Sequence, residues 1–361
     1  MLSLAMIVKN EERCLTRCLE SMRGVADEIV VVDTGSTDQT KKIAAEHNAR
    51  IFDFQWVDDF SAARNFALER SQGDWILVLD ADEWVSAALG DEMKRFIGGP
   101  PQAGRLRIVS TFLRNGQMLQ SQAYVTRLFP RGCRFEGRIH EQLVSSLPRT
   151  DLMGELWHDG YLHTNKSGRN IPLLVLEGEK NPGDAYWLYQ LASEYRSLDK
   201  TSEAVGALRR AYSLLKQDDN CAPNVVVDYL YCLMESKQFA GGLEVIENNR
   251  SLLADYPDFH FVSGLFFMNL VRSDPAKYVS YLPQIETSYR RCLELGESEK
   301  YRSVRGTGSF LAMYNLGVMF DAFGQPETAR KLFEQSAALG YEPARQLLSR
   351  GTSRPSECPN T

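Results

Sequence analysis

Three carboxylates stand at the end of an apolar run in "WILVLDADEW" (residues 75–84): Asp80, Asp82 and Glu83 follow Trp75 to Leu79. In an extended chain, residues two apart point the same way at a spacing of about 7 Å. Asp80 and Asp82 are therefore expected on one side, with the small Ala81 between them. Two neighbouring carboxylates repel, so a compensating positive charge is needed. A hard divalent cation such as Mg2+ or Mn2+ supplies one, because it takes few protein carboxylates and fills its shell with water and phosphate oxygens. Such a metal would hold a diphosphate leaving group. The competing reading is structural, a solvated strand end whose acids favour the start of a following helix. D-x-D is short and frequent, so the motif alone does not decide between them.

The elements that must position these acids can be read along the first 85 residues. "LSLAMIV" (2–8) is a continuous apolar run, the mark of a strand buried on both faces. "EIVVVD" (28–33), "RIFDF" (50–54) and "DWILVLD" (74–80) read as further strands. Helical spacing lies between them: apolar positions 14, 15, 18, 19 and 22, then a helix after "STDQT", then one over "DFSAARNFALERSQG". Strand–helix alternation with short connections predicts a parallel sheet covered by helices. Ligands of such sheets sit outside the carboxyl ends of the strands. Those ends carry "KNEE", "DTGSTD" and "DADE", so the acidic clusters fall on one edge. Gly35 permits a tight turn in "VVVDTGSTDQT", Ser36 or Thr37 could cap the next helix, and a helix start favours anionic groups. The turn is not a G-x-G-x-x-G fingerprint, and the chain has no Walker A sequence. Residues 100–165 are less regular; "GRLRIVSTFL", "QAYVTRLFP" and "CRFEGRIHEQLV" read as strands, and the region supplies His140, Glu141, His158 and His163.

From about residue 171 the pattern becomes helix after helix. Residues 187–215 place Leu191, Ala192, Tyr195, Ala204 and Leu208 at offsets that recur in residues 313–340 as Leu316, Gly317, Phe320, Ala329 and Phe333. This resembles the tetratricopeptide repeat, a helix–turn–helix unit of about 34 residues. The intervening segments read as degenerate copies that stack into a continuous core. The chain ends in "SRGTSRPSECPNT", nearly devoid of apolar residues and read as a disordered tail.

Bulk properties narrow the function classes. The 361 residues carry a formal net charge of -6, which argues against a nucleic-acid partner. Seven scattered cysteines without a CxxC pair read as reduced thiols in a cytoplasm. No stretch approaches the roughly 20 apolar residues of a membrane span, and "LSLAMIV" lacks the flanks of a signal peptide.

In order, "MIVKNEE", "VVVDTGSTDQT", "DDFSAARN" and "GDWILVLDADE" resemble the nucleotide-sugar half of family 2 glycosyltransferases with the GT-A fold, over roughly residues 1–165. The resemblance implies an α/β, Rossmann-like mixed sheet with helices on both faces over residues 1–170. An all-α, tetratricopeptide-like domain over 171–348 and the tail 349–361 would follow. It also implies a nucleotide-sugar donor, UDP-linked by default, with Mn2+ or Mg2+. By the same resemblance Asp82 binds the metal, Asp80 faces the ribose or a metal-bound water, Asp33 lies at the nucleoside, Arg64 lies near the base or phosphates, and Glu11 joins the nucleotide site. Many relatives carry two acids before the G-S-T-D turn, the second reading uracil. Here Thr34 follows Asp33, which leaves the base open to GDP or another nucleotide.

Members of this type usually invert the sugar's configuration. A carboxylate takes the acceptor's proton while the metal neutralises the diphosphate. "FEGRIHEQL" (135–143) occupies the place where relatives carry an acidic pair, which makes Glu141 the expected base, Glu136 the runner-up, and His140 a metal or diphosphate ligand. "WHDGY" (157–161) recurs in the subgroup joined to repeats and makes His158 a second metal-ligand candidate. The histidines lack H-E-x-x-H spacing, which argues against a zinc hydrolase. The two-part layout resembles bacterial peptide S-glycosyltransferases and enzymes that glycosylate flagellar or other proteins. A peptide or protein acceptor (Cys, Ser or Thr) is therefore expected, with a homodimer left open. A lipopolysaccharide or other saccharide acceptor, and a repeat scaffold with an inactive transferase-like domain, are the rival readings.

Overall fold

The computed structural model describes residues 1–114, 116–160, 166–216 and 218–349. His163 and the tail beyond Ser349 lie outside them. The chain divides into two compact units, Met1–Leu113 with Gln120–Glu177, and Arg114–Leu119 with the chain from Gly178 onward. The division falls within the helix Ser167–Lys180.

The first unit is built on β1 (Leu2–Val8), β2 (Glu28–Asp33), β3 (Arg50–Asp53) and β4 (Trp75–Val78). β1 pairs in parallel with β2, from Ser3 opposite Glu28 to Val8 opposite Asp33, and with β4, from Leu2 opposite Trp75 to Ala5 opposite Val78; β2 pairs in parallel with β3. Beyond β4 the sheet turns mixed through β5 (Glu83–Val85), β6 (Ala103–Arg114), β7 (Gln117–Pro130) and β10 (Arg149–His158). The order is β3-β2-β1-β4-β7-β6-β10-β5, with β4 antiparallel to β7 and β10 parallel to β6. A separate hairpin joins β8 (Arg134–Glu136) to β9 (Gln142–Val144).

Alternation along β1 explains why its sequence is apolar throughout. Leu2, Leu4, Met6 and Val8 pack with α1 (Leu15–Ser21), α2 (Thr40–Glu46) and α4 (Ala87–Phe96) on one face. Ala5, with Val32, Ile76 and Val78, packs on the other against α3 (Phe60–Arg70) and the β8–β9 hairpin. Each large side chain so buried contributes roughly 1.5–3 kcal/mol. α3 starts where its sequence says it should: Asp59 accepts from the Ala62 amide at 3.0 Å, a side-chain cap. α2 starts differently from expectation: its N-cap residue, Gln39, makes no side-chain cap, and the bond to the first helical amide comes from the turn before it. Asp38, rather than Ser36 or Thr37, accepts from the Thr40 amide at 3.0 Å, while Ser36 accepts from the Asn10 amide at 2.9 Å.

The second unit is helical. After α5 (Ser167–Lys180) come α6 (Ala185–Ser197) with α7 (Thr201–Leu214), α8 (Ala222–Glu235) with α9 (Phe239–Asn249), α10 (Pro257–Ser273), the short α11 (Pro275–Tyr278) and α12 (Leu282–Leu295). α13 (Phe310–Ala322), α14 (Pro326–Ala338) and α15 (Glu342–Ser349) complete it. Four of the connections share one turn. Asp199, Lys237, Gly324 and Gly340 adopt φ of +56°, +59°, +71° and +91°. The next amide in each case bonds back five residues: Lys200 to Tyr195, Gln238 to Leu233, Gln325 to Phe320 and Tyr341 to Ser336, at 2.8–3.2 Å. This left-handed C-terminal turn satisfies orphan carbonyls of the first helix, and its recurrence makes the unit a set of tetratricopeptide-like helix pairs. The apolar positions that matched in sequence lie at the pair contacts: Ala192, Ala204, Leu208, Leu316, Ala329 and Phe333 are buried. Gly317 is required there, since a Cβ would stand 2.6 Å from the Phe333 ring.

Candidate functional site

The parallel register brings the ends of β1, β2 and β4 to one edge. After β1, Asn10 accepts from the Thr37 amide at 2.8 Å and Glu12 from the Gln39 amide at 2.9 Å, which ties the "KNEE" and "GSTD" turns together. Asp33, fully buried, accepts from the Ser36 amide at 2.8 Å and shapes the turn in which Gly35 takes φ of +104°. Glu11 receives the Cys14 thiol at 3.2 Å. Burial raises the Glu11 carboxyl, and the nearby Lys166 charge opposes that. Burial and Glu11 push the Cys14 thiol up to about 12, so it is inert at neutral pH.

The "DADE" segment departs from the extended geometry expected of it. β4 ends at Val78 and residues 81–82 form a turn, closed by the Glu83 amide on the Asp80 carbonyl at 3.1 Å. Glu83 reaches back to accept from the Asp80 amide at 2.8 Å. Asp80 and Asp82 consequently have separate partners, and much of the compensating charge comes from the protein itself.

Asp80 lies in a chain of alternating charges. Arg64, on α3, donates through Nη2 to Asp80 at 2.8 Å and through Nε to Glu141. Arg127, on β7, donates to Asp80 at 3.0 Å and to Glu83 at 2.8 Å. Burial would raise the Asp80 carboxyl, but the two guanidinium groups hold it well below the usual carboxylate range. Glu83, 3% exposed, goes the other way: burial outweighs Arg127 and raises it. Asn65, next to Arg64, clamps the hairpin by exchanging two hydrogen bonds with the Phe135 backbone at 2.8 and 2.9 Å. This fixes the loop that carries Glu141.

Asp82 faces a different set. Its carboxylate, 6% exposed, contacts Lys166 Nζ at 3.0 Å and His158 Nε2 at 3.6 Å. His158 closes β10, and its Nδ1 meets Ser110 Oγ at 3.0 Å, which orients the ring. Burial alone would raise Asp82, yet His158 and Lys166 lower it; Asp82 in turn raises His158 against its own burial. Gly160 belongs to this cradle: a Cβ there would lie 2.1 Å from Asp82 Oδ2 and 2.7 Å from His158 Nε2. Next to it, Asp159 pairs with Arg17 at 2.7 Å, and Arg17 stacks over Trp84 at 3.6 Å.

The structure thus joins Asp82 to His158, and Arg64 to both Asp80 and Glu141. His140 lies in the hairpin loop with φ of +51°, its carbonyl accepting from the Gln142 side chain at 2.8 Å, and Glu136 is exposed on β8. Among the described residues no group of three His, Cys, Asp or Glu side chains forms a ready metal cluster. The converging carboxylate and imidazole nevertheless fit a divalent cation that completes its shell with ligand oxygens and water. Sequence reasoning passed over Arg127 and Lys166. The first had a signal, a lone arginine inside the strand "QAYVTRLFP"; the second had none.

Residues 3–138 match the family model "Glycosyl transferase family 2". A TPR repeat-containing protein of Synechococcus elongatus is 41% identical over 147 residues, 40% of this chain and 36% of that protein. The SPbeta prophage-derived glycosyltransferase SunS of Bacillus subtilis is 27% identical over 229 residues, 60% of this chain and 54% of that protein. The chain thus spans between about a third and a half of the length of these relatives. A solved structure of MamA overlaps 51% of this chain at 12% identity and a TM-score of 0.37, too low for the likeness to carry an argument. With the parallel strand edge and its acidic turns in place, the match over residues 3–138 shows that the chain carries a glycosyltransferase family 2 domain.

Proposed function

We propose that this domain moves a sugar, with inversion, from a nucleoside-diphosphate sugar, UDP-linked in the simplest case, to a Cys, Ser or Thr side chain of a peptide or protein. The observation that carries the reading is the convergence of Asp82 and His158 on the strand edge that holds Asp33 and Asp80. Asp82 and His158 would hold Mn2+ or Mg2+, which when bound neutralises charge on the diphosphate. Asp80, fixed between Arg64 and Arg127, meets the ribose. Glu141 is bound to Arg64 through Oε1, which leaves Oε2 to take the acceptor's proton; Glu136 is the alternative base. The tetratricopeptide-like pairs favour a peptide or protein acceptor, since stacked repeats build extended binding surfaces.

The test is release of free nucleotide from UDP-, GDP- and dTDP-sugars without acceptor. With Mn2+ one donor is expected to be hydrolysed slowly, and the rate to fall at least tenfold in EDTA and in Asp82→Ala. If no donor is hydrolysed and none binds by calorimetry, the inactive-scaffold reading replaces this one.

Gly160→Ala tests the cradle. The added methyl meets Asp82 and His158 directly, so it should lower the same release rate about tenfold while melting falls by no more than about 10 °C, since overpacking costs about 1–3 kcal/mol. An unchanged rate would detach Gly160, and with it the Asp82–His158 pair, from donor binding.

A further inference from the structure

The Asp82 oxygen that faces His158 Nε2 at 3.6 Å is the one on which Lys166 Nζ stands at 3.0 Å. An ammonium is a compact point charge on a flexible four-carbon stem. In this position it satisfies a carboxylate that is otherwise almost sealed from water. It also stands on the oxygen that a divalent cation would take. Two cations cannot both sit against one buried carboxylate without strong mutual repulsion.

The backbone of Lys166 is pinned. Its carbonyl accepts from the Arg169 and Asn170 amides at 3.1 Å, at the first turn of α5. Its side chain is 39% exposed, so the stem can swing into solvent while the backbone stays fixed.

We propose that Lys166 is the resident counter-ion of Asp82 in the donor-free protein, and that it is displaced onto the diphosphate when a divalent cation arrives with the nucleotide. This rests on the metal role given to Asp82 above. The exchange makes the cation and the nucleotide depend on one another. Alone, the cation must evict an ammonium that gains no new anion in exchange, the Glu11 carboxylate being near it already. With a nucleoside diphosphate present, the displaced ammonium gains new phosphate oxygens, and the cation and Lys166 share the added negative charge.

The experiment is Mn2+ binding to the full chain, read as loss of the free-ion electron paramagnetic resonance signal, with and without UDP. Wild type is expected to bind Mn2+ at least tenfold more tightly with UDP than without. Lys166→Met should bind Mn2+ alone at least tenfold more tightly than wild type, with a smaller effect of UDP. Lys166→Arg, which keeps the charge, should behave like wild type, and adding Asp82→Asn to Lys166→Met should remove the gain. Circular dichroism and melting confirm folding, and Lys166→Gln serves if the methionine variant melts early. Unchanged or weaker Mn2+ binding in the folded Lys166 variants, with Asp82-dependent Mn2+·UDP binding in wild type, overturns the inference alone. Mn2+·UDP binding that ignores Asp82→Asn overturns the metal reading and the inference together.

Discussion

An Arg127→Met chain is expected to lose about 3–5 kcal/mol of stability in its N-terminal unit, the cost of leaving a buried carboxylate without its cation. At about 2–4 °C per kcal/mol for a unit of this size, melting should fall by roughly 10 °C. One guanidinium nitrogen of Arg127 serves both Asp80 and Glu83. Asp80 keeps Arg64 when Arg127 is lost, and its carboxylate is 38% exposed, so it contributes little of the penalty. Glu83, 3% exposed, keeps the Asp80 amide as its hydrogen-bond donor among the described residues, with His158 as a more distant charge. Its carboxyl is already raised by burial, and removing Arg127 raises it further. A folded-state value above the unfolded one means the folded unit holds the proton longer, so stability falls as pH rises through that interval. The deficit of Arg127→Met should therefore be larger at pH 8 than at pH 5. The double variant Arg127→Met/Glu83→Gln removes the stranded charge and keeps an acceptor for the Asp80 amide, so it should recover most of the loss. Thermal unfolding of the three chains at the two pH values checks this; a deficit under about 1 kcal/mol, or no recovery, would show that Glu83 is not charged in the folded unit.

That arginine marks the limit of what the sequence displays. β1 and β2 were legible to the residue because strands buried on both faces are apolar throughout and end at their acids. α3 was legible because Asp59 is a strong cap followed by a helical pattern. The helix pairs were legible because close contacts demand small residues at fixed offsets, Gly317 against Phe333 being one. The "DADE" turn was misread as extended, since nothing in the spacing shows that Glu83 folds back on the Asp80 amide. β10 was also missed: its apolar alternation is broken at Gly154, where φ is +108° and the register with β6 shifts between Asp151 and Glu155. His158 was consequently singled out by family resemblance rather than by the strand that delivers it. Lys166 reaches Asp82 across 84 residues of sequence, and no periodicity encodes such a pairing.

Asp258→Asn should stabilise the helical unit progressively as pH rises, by on the order of 2–3 kcal/mol more at pH 8 than at pH 5. Asp258 lies in the first turn of α10, 4% exposed, and burial pushes its carboxyl up to about 7, with Glu297 and Asp228 adding to the effect and the Val304 amide and Thr307 hydroxyl opposing it. Burial favours the neutral acid, and the hydrogen-bond geometry accommodates it. Oδ1 accepts from the Val304 amide at 2.9 Å, and Oδ2 lies 3.0 Å from Thr307 Oγ1, which itself lies 2.9 Å from the Val304 carbonyl. Thr307 has one proton for two acceptors. If Asp258 is protonated on Oδ2, it donates to Thr307, Thr307 donates to Val304, and every group is satisfied. If it ionises, Thr307 turns its proton to the carboxylate, the Val304 carbonyl keeps the Thr307 amide at 3.3 Å, and the charge itself stands in a site closed to water. A carboxyl raised from 3.8 to about 7 holds its proton in the folded unit after the unfolded chain has released it, so the wild-type unit loses stability as pH climbs across that window and levels off above it. Asparagine reproduces the neutral pattern at every pH, its amide donating to Thr307 and its carbonyl accepting from Val304. Calorimetric melting of the two chains from pH 5 to 8, with amide exchange at Val304, measures the effect; parallel curves would show that Asp258 is already ionised at pH 5.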